Sequence, residues 1–201
     1  MKYSVLSLIL IVFVLVACNP TGQVIRDICS DAPESEKEDC IINKAKEQQD
    51  TLVCSQLEDS MTVSYCRYSV AESTGDMEIC PKIQEEFWQQ VCYKNLAIQN
   101  NHISTCYALT SIKDRDECLN KVSIATEDYR SCKEIEDFIT REKCVSTIAV
   151  GLEDTDICDT MELLPNRDIC YKKIAVKVDD QGICDEIAGD LLKGSCDSEF
   201  E

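Results

Sequence analysis

The chain has 201 residues and a formal net charge of −18, from 38 Asp and Glu against 20 Lys and Arg. A pI near 4.4 excludes a protein built to hold nucleic-acid phosphates, which needs clustered Lys and Arg to displace counterions. A hydrophobic share of 44% is enough for folding, and 15 cysteines point to an oxidising compartment.

Residues 1–17 carry one charge, Lys2, and an apolar run from Leu8 to Ala17. That run falls short of the roughly 20 residues that span a bilayer and suits the apolar centre of a signal peptide. It closes on Leu15-Val16-Ala17-Cys18, which resembles a lipobox, the processing site of prokaryotic lipoproteins. The resemblance implies that Cys18 becomes an acylated N-terminus, that 1–17 is removed, and that 18–23 forms a short tether. The alternative is plain secretion with Cys18 as an odd thiol. Ordinary secretory cleavage prefers a small residue where Leu15 stands, and removing Cys18 leaves 15 − 1 = 14 cysteines, which can pair completely. More than one acyl chain makes a stable anchor. Without Lys2 the charge becomes −19, so the body is repelled by anionic headgroups.

From Cys29 onward the cysteines form a ruler. Successive spacings are 11, then 14 and 12 alternating through Cys196, a period of 26 residues repeated in seven units over 24–201. Periods of this size indicate stacked repeats. Four residues before the first cysteine of a unit stand Asp50, Asp76, His102, Asp128, Asp154 and Asp180, with Ile25 in the first unit. Three residues after that cysteine come Leu57, Ile83, Leu109, Ile135, Met161 and Ile187. After the second cysteine, Cys170, Tyr171, Ile174, Ala175 and Val178 typify one stripe of a helix. Each recurring Asp reads as a helix cap.

Every unit is therefore predicted to be a helical hairpin: in the sixth, helix A over about Thr155–Glu162 and helix B over about Asn166–Asp179, with Pro165 at its start. Pro81 does not suit the interior of helix A, so Cys80-Pro81 is read as opening a later, longer helix. The fold expected is all-α, an α-solenoid of seven hairpins roughly 70 Å long at 8–10 Å per helix. The terminal units read as caps: Lys44 occupies an apolar slot in the first, and the last ends in Asp197-Ser198-Glu199-Phe200-Glu201.

Two regular pairings of the cysteines exist. Pairing across units strands Cys29 and Cys196 and offsets the partners by about 9 Å, beyond disulfide reach. Pairing within units uses all fourteen, giving Cys29–Cys40, Cys54–Cys66, Cys80–Cys92, Cys106–Cys118, Cys132–Cys144, Cys158–Cys170 and Cys184–Cys196. Structural staples suit hairpins that bury little apolar surface. No C-x-x-C occurs, so neither a metal site nor thiol-redox chemistry is expected, and no cofactor is implied. The organisation resembles TPR-like and Sel1-like repeats in architecture only, since the unit is shorter than 34 residues and W-x-x-L-G-x-x-Y is absent. That resemblance implies protein–protein interaction.

Nucleophile-elbow, zinc-protease, P-loop and dinucleotide motifs are missing, and so is N-x-[ST]. Residues considered for binding are Arg115, Arg141 and Arg167, each three before a second cysteine and followed by Asp116, Glu142 and Asp168, and the pair Phe87-Trp88. The arginines are expected to pair with acids of their own unit (Glu136 with Arg141, Glu162 with Arg167), or to line a groove. Phe87 and Trp88 are expected to pack on the adjacent unit. His102 reads as a cap or exposed residue.

The function expected is a membrane-anchored, extracytoplasmic scaffold, at the cell surface or in a periplasm, binding a protein or peptide, more basic than acidic by charge complementarity. Two other readings are an envelope component without a ligand and an envelope enzyme of unrecognised type.

Overall fold

The computed structural model describes residues 29–201. The signal segment 1–17, Cys18, the tether 18–23 and Ile25 lie outside the described residues.

Seven long helices follow one another: α1 (Lys37–Gln48), α2 (Ser60–Thr74), α3 (Glu86–Gln99), α4 (Ile112–Thr126), α5 (Phe138–Leu152), α6 (Leu164–Val178) and α7 (Asp190–Asp197). From α2 on, each is preceded by a short helical turn bearing the unit's first cysteine, such as Tyr129–Cys132 before α5. No strand occurs among the described residues. The chain is an all-α array of disulfide-stapled hairpins.

Helix A is shorter than its sequence suggested. In the sixth unit it stops at Cys158, where the Met161 N–H bonds back to the Cys158 carbonyl at 3.0 Å and Met161 turns into the core. The backbone is then extended at Leu163, and α6 begins at Leu164 with Pro165 in its first turn, where no N–H is needed. Pro81 does not open a long helix either. It sits inside the 3-10 turn Met77–Lys82, and α3 starts at Glu86. The short turn must end there so that Ile83, 2% exposed, can enter the core.

Except at Asp76, whose N–H bonds the Thr74 hydroxyl (3.3 Å), the recurring Asp has two jobs at its corner. Its N–H closes the preceding long helix: Asp128 bonds the Ser123 carbonyl, Asp154 that of Ala149 and Asp180 that of Ala175, each at 3.0 Å. Its carboxylate then accepts the N–H two residues on, opening the next turn, as Asp154 does from Asp156 (3.0 Å) and Asp180 from Gly182 (2.9 Å). Asp50, Asp76 and Asp128 accept equivalent bonds. His102 keeps the first job, bonding Ala97 at 2.8 Å, while its exposed ring contacts the Thr105 hydroxyl instead of a backbone N–H.

The residue before each of these positions is left-handed: Gln49, Gly75, Asn101, Glu127, Glu153 and Asp179. Only one of the six is glycine, the residue that best tolerates this geometry. Glu127, at φ 56°, also places a carboxylate at a helix C-terminus, where the dipole disfavours it. Glu127→Gly should raise stability by about 1 kcal/mol, read as a higher urea midpoint. An unchanged or lower midpoint would refute this account of the corner.

Within each unit the short turn and long helix are joined by a disulfide, with Cα separations of 5.5–6.0 Å from Cys29–Cys40 to Cys184–Cys196. All twelve cysteines of units two to seven are 0% exposed. Around them the repeated apolar slots close the core. Ile135, Val122 and Ile174 are buried, and Ala97, Ala149 and Ala175 have no exposed surface where neighbouring units approach. The core divides at α3, whose Leu96 belongs to the first three units and Ala97 to the rest.

Candidate functional site

What holds one unit to the next was hidden beside the arginines. Asp116, 5% exposed, accepts the Glu136 and Asp137 N–H groups at 3.0 and 2.8 Å. Asp168 does the same for Ala188 and Gly189 (3.2 and 2.9 Å). Glu142 accepts the Glu162 N–H and the Asn166 side-chain amide, both at 3.2 Å. Ser64 and Gln90, in the same slot of earlier units, accept the Glu85 N–H (3.3 Å) and the Thr110 N–H and hydroxyl (2.9 and 3.3 Å). Each lies two residues before a second cysteine and grips the connecting turn of the following unit. A Cβ at position 189 would meet the Asp168 carboxylate at 3.2 Å, so Gly189 lets that clasp close. The last unit has Gly194 in this slot and offers no acceptor.

The arginines also reach forward, which corrects the expected pairing. Glu136 is bound by Arg115 and not Arg141, and Glu162 by Arg141 (3.6 Å) and not Arg167. Arg115 and Arg141 thus ion-pair with the next unit's connecting turn, while Arg141 also donates to the Ile135 carbonyl of its own turn at 2.9 Å. Arg167 finds Ala188 at the partner position, makes no salt bridge, and keeps a buried Nε without a partner. The three therefore do not form a free cationic row.

Trp88 packs on the preceding unit, stacked on Tyr68 at 5.4 Å and tilted against Tyr65 at 4.8 Å. Tyr68 accepts from the Asn95 amide at 2.8 Å and donates to Glu72. Burial, then the Glu72 hydrogen bond, pushes its pKa up to about 12. Tyr171 is likewise pushed to about 12 by burial and Asp159. Phe87, by contrast, turns outward.

Phe87 belongs to a series that the 26-residue ruler obscures. The first or second residue of every long helix from α2 to α7 is an exposed large apolar side chain: Met61 (47% exposed), Phe87 (63%), Ile112 (52%), Ile139 (76%), Leu164 (55%) and Leu191 (93%). The slot drifts by one residue in α4 and α6, so strict register misses it. Behind the series, grooves of about 460, 690 and 440 Å³ open between α3 and α4, α4 and α5, and α5 and α6. Phe87 lines the first, Ile112 the second and Ile139 the third, where Lys143 and Lys173 stand further along the helices.

The residues just before the series are a second set of caps. Asp59 and Asp137 accept the N–H groups of Thr62 and Thr140, each at 2.8 Å, and Ser111 that of Asp114. The Thr62 backbone bond lowers the Asp59 pKa, and the Thr140 hydroxyl that of Asp137. Their stabilising effect is present above the ordinary carboxylate pKa and is lost as pH falls through the depressed one.

Among the described residues no three His, Cys, Asp or Glu side chains are placed to hold a metal ion, and no helix is long and apolar enough to cross a membrane. No family model, no curated protein and no solved structure matches this chain.

Proposed function

We propose that this protein is a lipid-anchored extracytoplasmic scaffold that binds a protein or peptide across the starts of its long helices. The observation that carries the reading is the outward apolar series. A soluble repeat has no packing reason to expose one large apolar side chain at the same end of six successive helices, and recurrent exposed apolar surface marks interaction sites. A purely protective envelope component would be expected to have a uniformly charged face there.

Four titratable groups have shifts set by capping and burial. Asp59 and Asp137 are held below the ordinary carboxylate range, and Tyr68 and Tyr171 are raised to about 12. These shifts lead away from neutrality, the opposite of what general acid–base catalysis requires.

Seven disulfides, twelve of their cysteines fully buried, suit an oxidising extracytoplasmic environment. Anchoring rests on the Leu15-Val16-Ala17-Cys18 sequence. Cys18→Ser should move the protein from the membrane fraction to the soluble extracytoplasmic fraction; persistence in membranes would refute the anchor. The scaffold itself is tested by using the domain as bait in envelope extracts. A saturable partner lost on high-salt washing is expected, and repeated failure to enrich any protein would overturn the reading.

A further inference from the structure

We infer that the apolar series at the starts of α2 to α7 docks an extended, cationic segment of a partner protein that presents an apolar side chain at every third residue. The inference rests on the scaffold reading and names the chemistry of its partner. Spacing supplies the first argument. Packed helices lie about 8–10 Å apart, and a polyproline-II chain advances about 3.1 Å per residue with three residues per turn, so every third side chain faces the same way and three residues span one step of the array. One contact per helix, repeated six times, suits a linear ligand running across the helices.

Charge supplies the second. The three residues before each member of the series include eight acids in all and no Lys or Arg. Arg115 and Arg141 bind two of these, Glu136 and Glu162. The other six, Glu58, Asp59, Glu85, Glu86, Asp137 and Asp190, form no salt bridge among the described residues. Unpaired acids therefore precede four of the six apolar positions, all but Ile112 and Leu164, and a ligand with two cations between successive apolar residues matches both. Among the groove cations Lys113 directly follows Ile112, whereas Lys143 lies one helical turn beyond Ile139, and Lys94 and Lys173 lie further along their helices. A partner helix with apolar residues seven apart would match the step of the array. It is the alternative occupant that the test separates.

The test is fluorescence anisotropy of labelled 18-residue peptides on the domain: Leu-Lys-Lys repeated six times, a shuffled peptide of the same composition, and a peptide with leucines seven apart. The first should bind at least tenfold more tightly than either of the others. Ile139→Asp should weaken it at least fivefold, because an acid is well tolerated in a first helical turn and the fold is kept, as circular dichroism would verify. Leu152→Asp, an exposed apolar residue at the other end of α5, should bind as the parent does. Equal affinity for the shuffled peptide, tighter binding of the seven-residue spacing, or an unaffected Ile139→Asp would overturn the inference. So would binding of the unacylated domain to phosphatidylcholine vesicles that Ile139→Asp abolishes, since the series would then face lipid. A partner captured from envelope extracts equally well by Ile139→Asp would sink this docking line and leave the scaffold standing, whereas capture of nothing would remove the scaffold itself.

Discussion

Replacing Cys158 and Cys170 together by alanine is expected to lower stability by about 3 kcal/mol or more. The disulfide closes a loop of 13 residues, and freeing it returns about 3 kcal/mol of chain entropy to the unfolded state. Both sulfurs are fully buried beside Ile174 and Ala175, so their removal also leaves a cavity. The effect spreads because the sixth unit has a neighbour on each side. α6 packs against α5 and α7, and loss of one internal unit uncouples the two parts of a one-dimensional array. Urea unfolding followed by circular dichroism should therefore show both a lower midpoint and a broader or split transition. The same change at Cys184 and Cys196 should leave a single transition, since among the described residues the seventh unit packs only on the sixth. If the internal pair costs nothing, or the two pairs cost the same and both keep one transition, the staple account fails.

Asp116→Ala should cost about 3 kcal/mol by a different route. It leaves the Glu136 and Asp137 N–H groups without the carboxylate that now binds both, and hydrogen bonds to a charged group contribute about 1.5–3 kcal/mol each. Asp116→Asn should lose less, because one oxygen remains to accept. Hydrogen exchange locates the effect: the amides of Glu136 and Asp137 should exchange faster in Asp116→Ala, while those of Ala188 and Gly189, held by Asp168, stay protected. Exchange that rises evenly along the chain, or not at all, would show that Asp116 does not act as a clasp between units. The Cys132–Cys144 bridge should survive the substitution, separating loss of the clasp from loss of the hairpin.

The two sets of contacts differ in how legible they are. A staple joins cysteines 11 or 12 residues apart, and a corner joins an Asp to the helix carbonyl five residues earlier. Such contacts recur at constant offsets, so spacing alone identifies the hairpin, its bridges, the capping Asp and the buried Ile/Leu and Ala slots. The length of helix A was misjudged because the tight turn after Cys158 depends on Met161 finding a place in the core. Arg115 and Glu136 are 21 residues apart, and nearness in sequence pointed wrongly to Arg141. The same holds for Asp116, Glu142 and Asp168, whose acidity reads as surface until the following unit is seen to cover them. The exposed series was missed because a one-residue drift in α4 and α6 breaks the period, and exposure belongs to the assembled array.

Amino-acid order thus dictated what happens inside a repeat, because a short connecting segment leaves its two ends few places to go. How repeats grip one another, and which apolar side chains are left facing water, was settled only by stacking. Those contacts depend on where one rigid hairpin rests against the next, a relation that no fixed spacing along the chain records.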